Sequence, residues 1–362
     1  MTGLYIHVPF CRKKCPYCDF YSVGYSEELA TQYADAVRRN LSYYNTSYEK
    51  ERDYNARYDT VYFGGGTPIL LAEHIPRILS EANIKRGAEI TVECNPLEMN
   101  EDTLKLLFDC GVNRLSVGVQ SASNLDLKAL GRSHTFEQAR DAIFTASRVG
   151  FCDISVDLMI GTPGQDLVTL TYTAVKLREL PITHVSAYML KIEPNTVFGK
   201  NPPDIPDEDE TAELYRFIAH RLRDIGFEQY EISNFARGGM TSRHNLKYWR
   251  REEYLGIGAA AHSFYRGRRF AVKRDIREFI ESEHQIEITT DDNINELEEQ
   301  IMLGLRLTEG IPKELWERVE SALPLIPKHY YKIDNDRLSL TEDGFLVSNG
   351  IISTLLANLE EL

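Results

Sequence analysis

Residues 5–22 read YIHVPFCRKKCPYCDFYS, placing Cys11, Cys15 and Cys18 directly after an apolar, strand-like run. Three soft thiolate donors crowded into one short loop suit a cubane iron–sulfur cluster that uses three cysteines and leaves one iron open. A structural zinc is the alternative, with His7 or Asp19 as a fourth ligand, although the second cysteine/histidine pair usual in such sites is missing. A disulfide would leave one thiol of the trio over, and nothing else in the chain points to an oxidising compartment.

Outward from this loop, apolar runs alternate with helical patterns, the signature of parallel β/α units. Strands are expected at 4–8, 60–63, 89–94, 114–120, 153–160 and 184–192. Helices are expected at 27–44, where Leu29, Tyr33, Ala36 and Val37 keep a helical spacing, and at 72–82, 102–110 and 211–225, with helical segments running to Arg148. Beyond residue 230 the chain turns aromatic and glycine-rich, and from about 293 it reads as short helices with one hairpin-like stretch. The expected architecture is α/β: an incomplete (β/α)6 TIM-like barrel over 1–230, a connecting region over 231–290 containing HNLKYW, and a small, mainly helical C-terminal domain over 291–362. A chain of 362 residues is long enough for such a division.

Composition narrows the class. The chain is 43% hydrophobic and 27% charged, without an apolar run of membrane-spanning length. No secretory pattern opens it, so a cytoplasmic location is expected. A net charge of −14 argues against general attraction to nucleic acid or anionic lipid. Cys94, Cys110 and Cys152 are scattered and read as buried small hydrophobes.

Polar groups gather where the expected strands end. The cysteines follow the first strand and Gly64-Gly65-Gly66-Thr67-Pro68 the second; Glu93 closes the third and Gln120 the fourth; Asp157 lies late in the fifth and Glu193 follows the sixth. In a parallel β/α barrel these ends share one mouth, where such folds place their active sites. The glycines could serve only a tight turn, but directly after a strand they also let backbone amides approach a ligand. Arg132 could be a surface charge or, if it points to the mouth, offer a planar fork suited to a carboxylate; Glu93, Gln120 and Asp157 could equally be loop anchors.

The two motifs together, C-x3-C-x2-C after the first strand and GGGTP after the second, resemble the radical S-adenosylmethionine (SAM) superfamily. The series YIHVPFC, CPYCDF, ECNP, GVNRLSVGVQS, LGRSH, DLMIGTPGQ, EPNTVFG and HNLKYW further resembles the branch containing oxygen-independent coproporphyrinogen III oxidase and the heme chaperone HemW family, most securely over residues 3–265. The resemblance implies a [4Fe–4S] cluster on Cys11, Cys15 and Cys18 whose fourth iron is chelated by SAM. It also implies SAM contacts from Tyr5, Gly65, Gly66, Thr67, Glu93, Gln120, Arg132 and Asp157, with Arg132 on the carboxylate.

Within the branch, the oxidases carry a further cysteine two residues after the third ligand, where this chain has Phe20, and a long segment ahead of the cluster, where it has ten residues before Cys11. His244-Asn-Leu-Lys-Tyr-Trp249 is similar to the HNxxYW signature of the chaperones. The resemblance therefore implies a heme-binding protein that passes heme to an acceptor, which could be membrane-associated. The alternative is oxidative decarboxylation of coproporphyrinogen III to protoporphyrinogen IX. An electron donor to the cluster is implied, and a homodimer is left open. His244 could ligate heme iron with Tyr248 and Trp249 over the porphyrin, or all three could be packing; His262 is a second candidate ligand. Arg243, Lys247, Arg250 and Arg251 form a basic cluster that could meet propionates or simply face solvent.

Overall fold

A computed structural model describes residues 1–50, 58–291 and 295–359. Its centre is a sheet whose parallel strands are β1 (Thr2–Val8), β2 (Tyr58–Gly65), β3 (Ile84–Cys94), β4 (Arg114–Gln120), β5 (Asp153–Ile160) and β6 (His184–Met189), neighbours in that order. The expected six β/α units are present, and the fourth and fifth strands begin and end where the sequence places them.

The central stretches of the strands alternate between an apolar and a polar face, and the alternation explains the architecture. Leu4 and Ile6 pair with Val61 and Phe63, and Val61 and Phe63 with Ile90 and Val92. Leu115 and Val117 likewise pair with Ile154 and Val156. All of these are buried in one apolar core with Tyr33, Val37, Leu104, Ile143 and Ile218 of the surrounding helices. Burying each such side chain contributes about 1.5–3 kcal/mol before entropy is subtracted. The opposite face is polar: Tyr5 pairs with Tyr62, Thr91 with Arg114, Glu93 with Ser116, and Asp157 with Ser186. The barrel interior is thus built to hold a polar ligand above a buried polar floor.

The helices begin where their caps dictate. Thr135, Asp166 and Asp207 each form a reciprocal capping box at the start of Phe136–Val149, Leu167–Arg178 and Glu208–Asp224. The first helix, Glu27–Lys50, lays Tyr33 across the barrel end, where the Tyr33 hydroxyl donates to the His7 carbonyl at 2.6 Å.

The sheet does not stop at residue 230. Beyond β6 it adds two short antiparallel strands, β7 (Glu228–Gln229) and β8 (Asn234–Ala236), in the order β6-β8-β7. On the other side of β1 lies β9 (Tyr254–Ile257), parallel to it, followed by the antiparallel β10 (His262–Tyr265), β11 (Arg268–Val272) and β12 (Glu287–Asp291). The segment read as a connection therefore supplies a seventh parallel strand. The expected change of character at about 293 lies outside the described residues. Further on, Ile301, Trp316, Val319, Leu338, Phe345 and Ile352 belong to a second apolar core with its own small antiparallel sheet among short helices.

Candidate functional site

Chain geometry at the end of β1 explains how the cysteine loop is held. Phe10 is fully buried, with its ring edge-on to Tyr33 at 5.4 Å. Phe10–Cys11 pairs with Val23–Gly24, and the Val23 amide donates to the Pro9 carbonyl at 2.6 Å. This pinch closes the loop at its base. The glycine turn then packs beneath it: the Gly66 amide donates to the Val8 carbonyl at 2.8 Å, and a β-carbon on Gly66 would stand 2.6 Å from the Phe10 carbonyl oxygen. Only glycine fits there. Gly65 has φ +117°, a conformation that side chains disfavour.

Above the loop and the strand ends lies a cavity of about 550 Å³. Cys11, Cys15 and Cys18 line it together with Gly65, Gly66, Thr67, Glu93, Gln120, Arg132 and Asp157. Ten of the residues singled out from the sequence thus meet in one place. Glu193 also lines the cavity and pairs with Lys191 at 2.7 Å. Tyr5 does not line it. Its ring packs beside those of Tyr62 and His244, with centroids 6.2 and 6.4 Å away, and its hydroxyl lies 3.0 Å from His7 Nδ1, facing a second cleft.

All three thiols are free and partly exposed. Two have donors aimed at sulfur: Thr67 Oγ1 lies 3.6 Å from Cys11 Sγ, and Arg132 Nη1 lies 3.3 Å from Cys15 Sγ while Nη2 donates to the Gly118 carbonyl at 3.0 Å. Among the described residues no three His, Cys, Asp or Glu side chains converge tightly enough to hold a single ion. A cubane does not require it, because each thiolate binds a different iron. His7, weighed as a fourth zinc ligand, is buried with Nδ1 on the Tyr5 hydroxyl and Nε2 3.1 Å from the Tyr21 carbonyl.

Opposite the loop stand two carboxylates. Burial, and then the charge of Asp157, pushes Glu93 up to about 7, although Tyr62 and the Gly65 amide donate to it at 2.9 and 3.0 Å. Burial raises Asp157 to about 6 against hydrogen bonds from Ser186 and Ser116. Two confined carboxylates that resist joint ionisation offer a good receptor for an amine or for hydroxyls. Tyr62, Arg114, Ser116, Ser186 and Tyr188 also line the cavity and were missed from the sequence. Their signal was available, since they occupy alternate positions on strands whose other face is apolar.

The HNLKYW segment forms a helix, Arg243–Trp249, in whose first turn His244 is fully buried. Its Nδ1 lies 2.8 Å from Thr60 Oγ1, and burial, then Lys247, pushes its pKa down to about 3. The Arg243 and His244 amides both donate to Glu89 at 2.9 Å. With Nε2 held by Tyr248, neither ring nitrogen can reach an external iron. Of the two readings left open for His244, axial ligand or packing, this geometry favours packing: the imidazole plugs the barrel floor. Tyr248 reaches the second cleft, whereas Trp249 lines neither cavity. The basic cluster is also spent internally. Lys247 is buried against Asp59 and Glu252, Arg250 pairs with Glu309, Arg251 with Glu296 and Glu299, and Arg243 donates to the Gly87 and Asp59 carbonyls. Of the remaining cysteines, Cys94 is buried as expected, Cys110 is half-buried and Cys152 is exposed.

Residues 5–174 match the family model of the radical SAM superfamily, and residues 291–347 match the HemN C-terminal domain. The heme chaperone HemW of Escherichia coli (strain K12) is 35% identical over 98% of this chain and 98% of its own length. The chain belongs to the HemW family. The HemW protein of Lactococcus lactis is 33% identical over 98% of this chain and 97% of that protein. Among solved structures, the coproporphyrinogen III oxidase HemN from Escherichia coli superposes with a TM-score of 0.80 at 20% identity, covering 98% of this chain and 89% of that one. That likeness fixes the fold. As a HemW-family member the chain carries the superfamily's cysteine loop at the mouth of its barrel, and no described helix is long and apolar enough to cross a membrane.

Proposed function

We propose that this protein binds heme and passes it to acceptor proteins, with a [4Fe–4S] cluster on Cys11, Cys15 and Cys18 and SAM in the barrel mouth. The observation that carries the reading is full-length kinship with HemW chaperones joined to the exposed Phe20, which stands where the related oxidases carry a further cysteine. The cluster supplies, when bound and reduced, an electron to SAM at its open iron, so an electron donor is part of the proposal. The chain's own residues do the holding. The Arg132 guanidinium is placed for the SAM carboxylate, Glu93 and Asp157 for its amine or ribose hydroxyls, and the Gly65–Thr67 backbone for close approach. Tyr62 and the Gly65 amide fix the orientation of Glu93.

Coproporphyrinogen decarboxylation is the competing reading, favoured by the shared fold alone. The test is to load the cluster-reconstituted protein with hemin, mix it with an apo form of a heme protein, and follow the acceptor's Soret band. Transfer faster than from free hemin supports the chaperone; failure to bind hemin at all contradicts it.

A further inference from the structure

A second cleft of about 460 Å³ opens beside the first, within the size range of small-molecule sites. Tyr21, Tyr248 and Tyr254 line it with ring surface, and Phe20, from the cysteine loop, borders both cavities. Three polar side chains in this cleft, Asp19, His262 and Arg274, are exposed and have no hydrogen-bond or ion-pair partner among the described residues. The His262 ring is exposed, and among the described residues it makes no hydrogen bond or ion pair. The histidines inside the barrel are satisfied: His7, His184 and His244 each have both ring nitrogens engaged. Arg274 is also exposed, stands over the Tyr21 ring at 5.8 Å, and pairs with no described carboxylate.

We infer that this cleft is the heme site, with His262 as axial ligand through a ring nitrogen and Arg274 on a propionate. The inference rests on the heme reading above and gives it a place. A flat aromatic macrocycle with a metal at its centre and carboxylates on one edge needs ring surface, a neutral imidazole and a cation. The cleft supplies all three. Arg274 lies just past β11, whose Ala271 is paired with His262 on β10, which brings ligand and cation to one wall. Phe20 then lies between heme and cluster, so the residue that replaces the oxidases' cysteine becomes a wall common to both sites.

The test is a hemin titration of the full-length, cluster-reconstituted protein beside His262→Ala, His262→Gly and Arg274→Glu, with cluster absorbance as the control for folding. His262→Ala is expected to lose the wild-type Soret position and weaken binding at least about tenfold. Added imidazole is expected to restore the band in His262→Gly, and Arg274→Glu to weaken hemin but not its dimethyl ester, which lacks the charges. Wild-type spectrum and affinity in His262→Ala overturn the assignment while the chaperone reading stands. A wild-type protein that binds no hemin overturns both.

Discussion

His244 Nε2 lies 2.8 Å from the hydroxyl of Tyr248, one helical turn away. The contact ties the HNLKYW helix to the barrel floor and makes the motif's histidine part of the fold. Replacing it by alanine would leave the Thr60 and Tyr248 hydroxyls without their partner, at a cost of about 2–4 kcal/mol. His244→Ala is therefore expected to lower the urea midpoint and leave the heme Soret band where it is. A displaced band with unchanged stability would restore the imidazole as a ligand.

The cysteine loop is legible in the sequence because its chemistry is local: spacing alone brings the thiols together, and the glycine turn follows the next strand. Strands 114–120 and 153–160 are legible because apolar residues alternate with polar ones or glycine through 114–120 and through 153–158. The seventh parallel strand is not. Tyr254–Ile257 is short and contains Gly256, whose absent side chain leaves room for the His262 carbonyl, and its partner β1 is far away in the chain. Local periodicity carries no information about that pairing. The choice between ligand and packing for His244 was not legible for a similar reason, since its partners Thr60 and Glu89 come from two strands distant in sequence.

The proposed cluster uses all three thiols. Cys11→Ala, Cys15→Ala and Cys18→Ala are each expected to lose the visible absorbance of the reconstituted protein while retaining its far-UV spectrum. A full complement of iron and sulfide in any one of them refutes that cysteine as a ligand.

Gly66 supports the loop through backbone packing. A methyl group there meets the buried Phe10 carbonyl, which cannot move aside without opening the pinch beneath Cys11. Gly66→Ala should cost about 1–3 kcal/mol and reduce iron content after reconstitution. Gly87, which unlike Gly66 has a positive φ but open space around it, serves as the comparison: its alanine variant should keep its iron.

Glu93 makes the ligand-free protein sensitive to pH. Its folded pKa of about 7 stands above the ordinary 4.5, so between these values the folded state holds a proton that the unfolded state has released. Stability from this group is full below pH 4.5 and is lost as pH rises through 7, a change of about 3 kcal/mol by the usual conversion. Asp157 and Glu231, raised to about 6 and about 7, add slopes of the same sign. Glu93→Gln should flatten the wild-type fall in melting temperature between pH 5 and 8, measured as the difference between the two proteins. Parallel curves would show that Glu93 is ionised throughout.

The central claim is that this barrel carries heme and does not decarboxylate porphyrinogens. The most direct measurement is anaerobic incubation of the reconstituted protein with reductant, SAM and coproporphyrinogen III, followed by hemin loading and transfer to an apo acceptor in the same sample. The account predicts heme binding and transfer with no protoporphyrinogen formed. Turnover to protoporphyrinogen would contradict it and make the protein an oxidase that works without the cysteine at position 20.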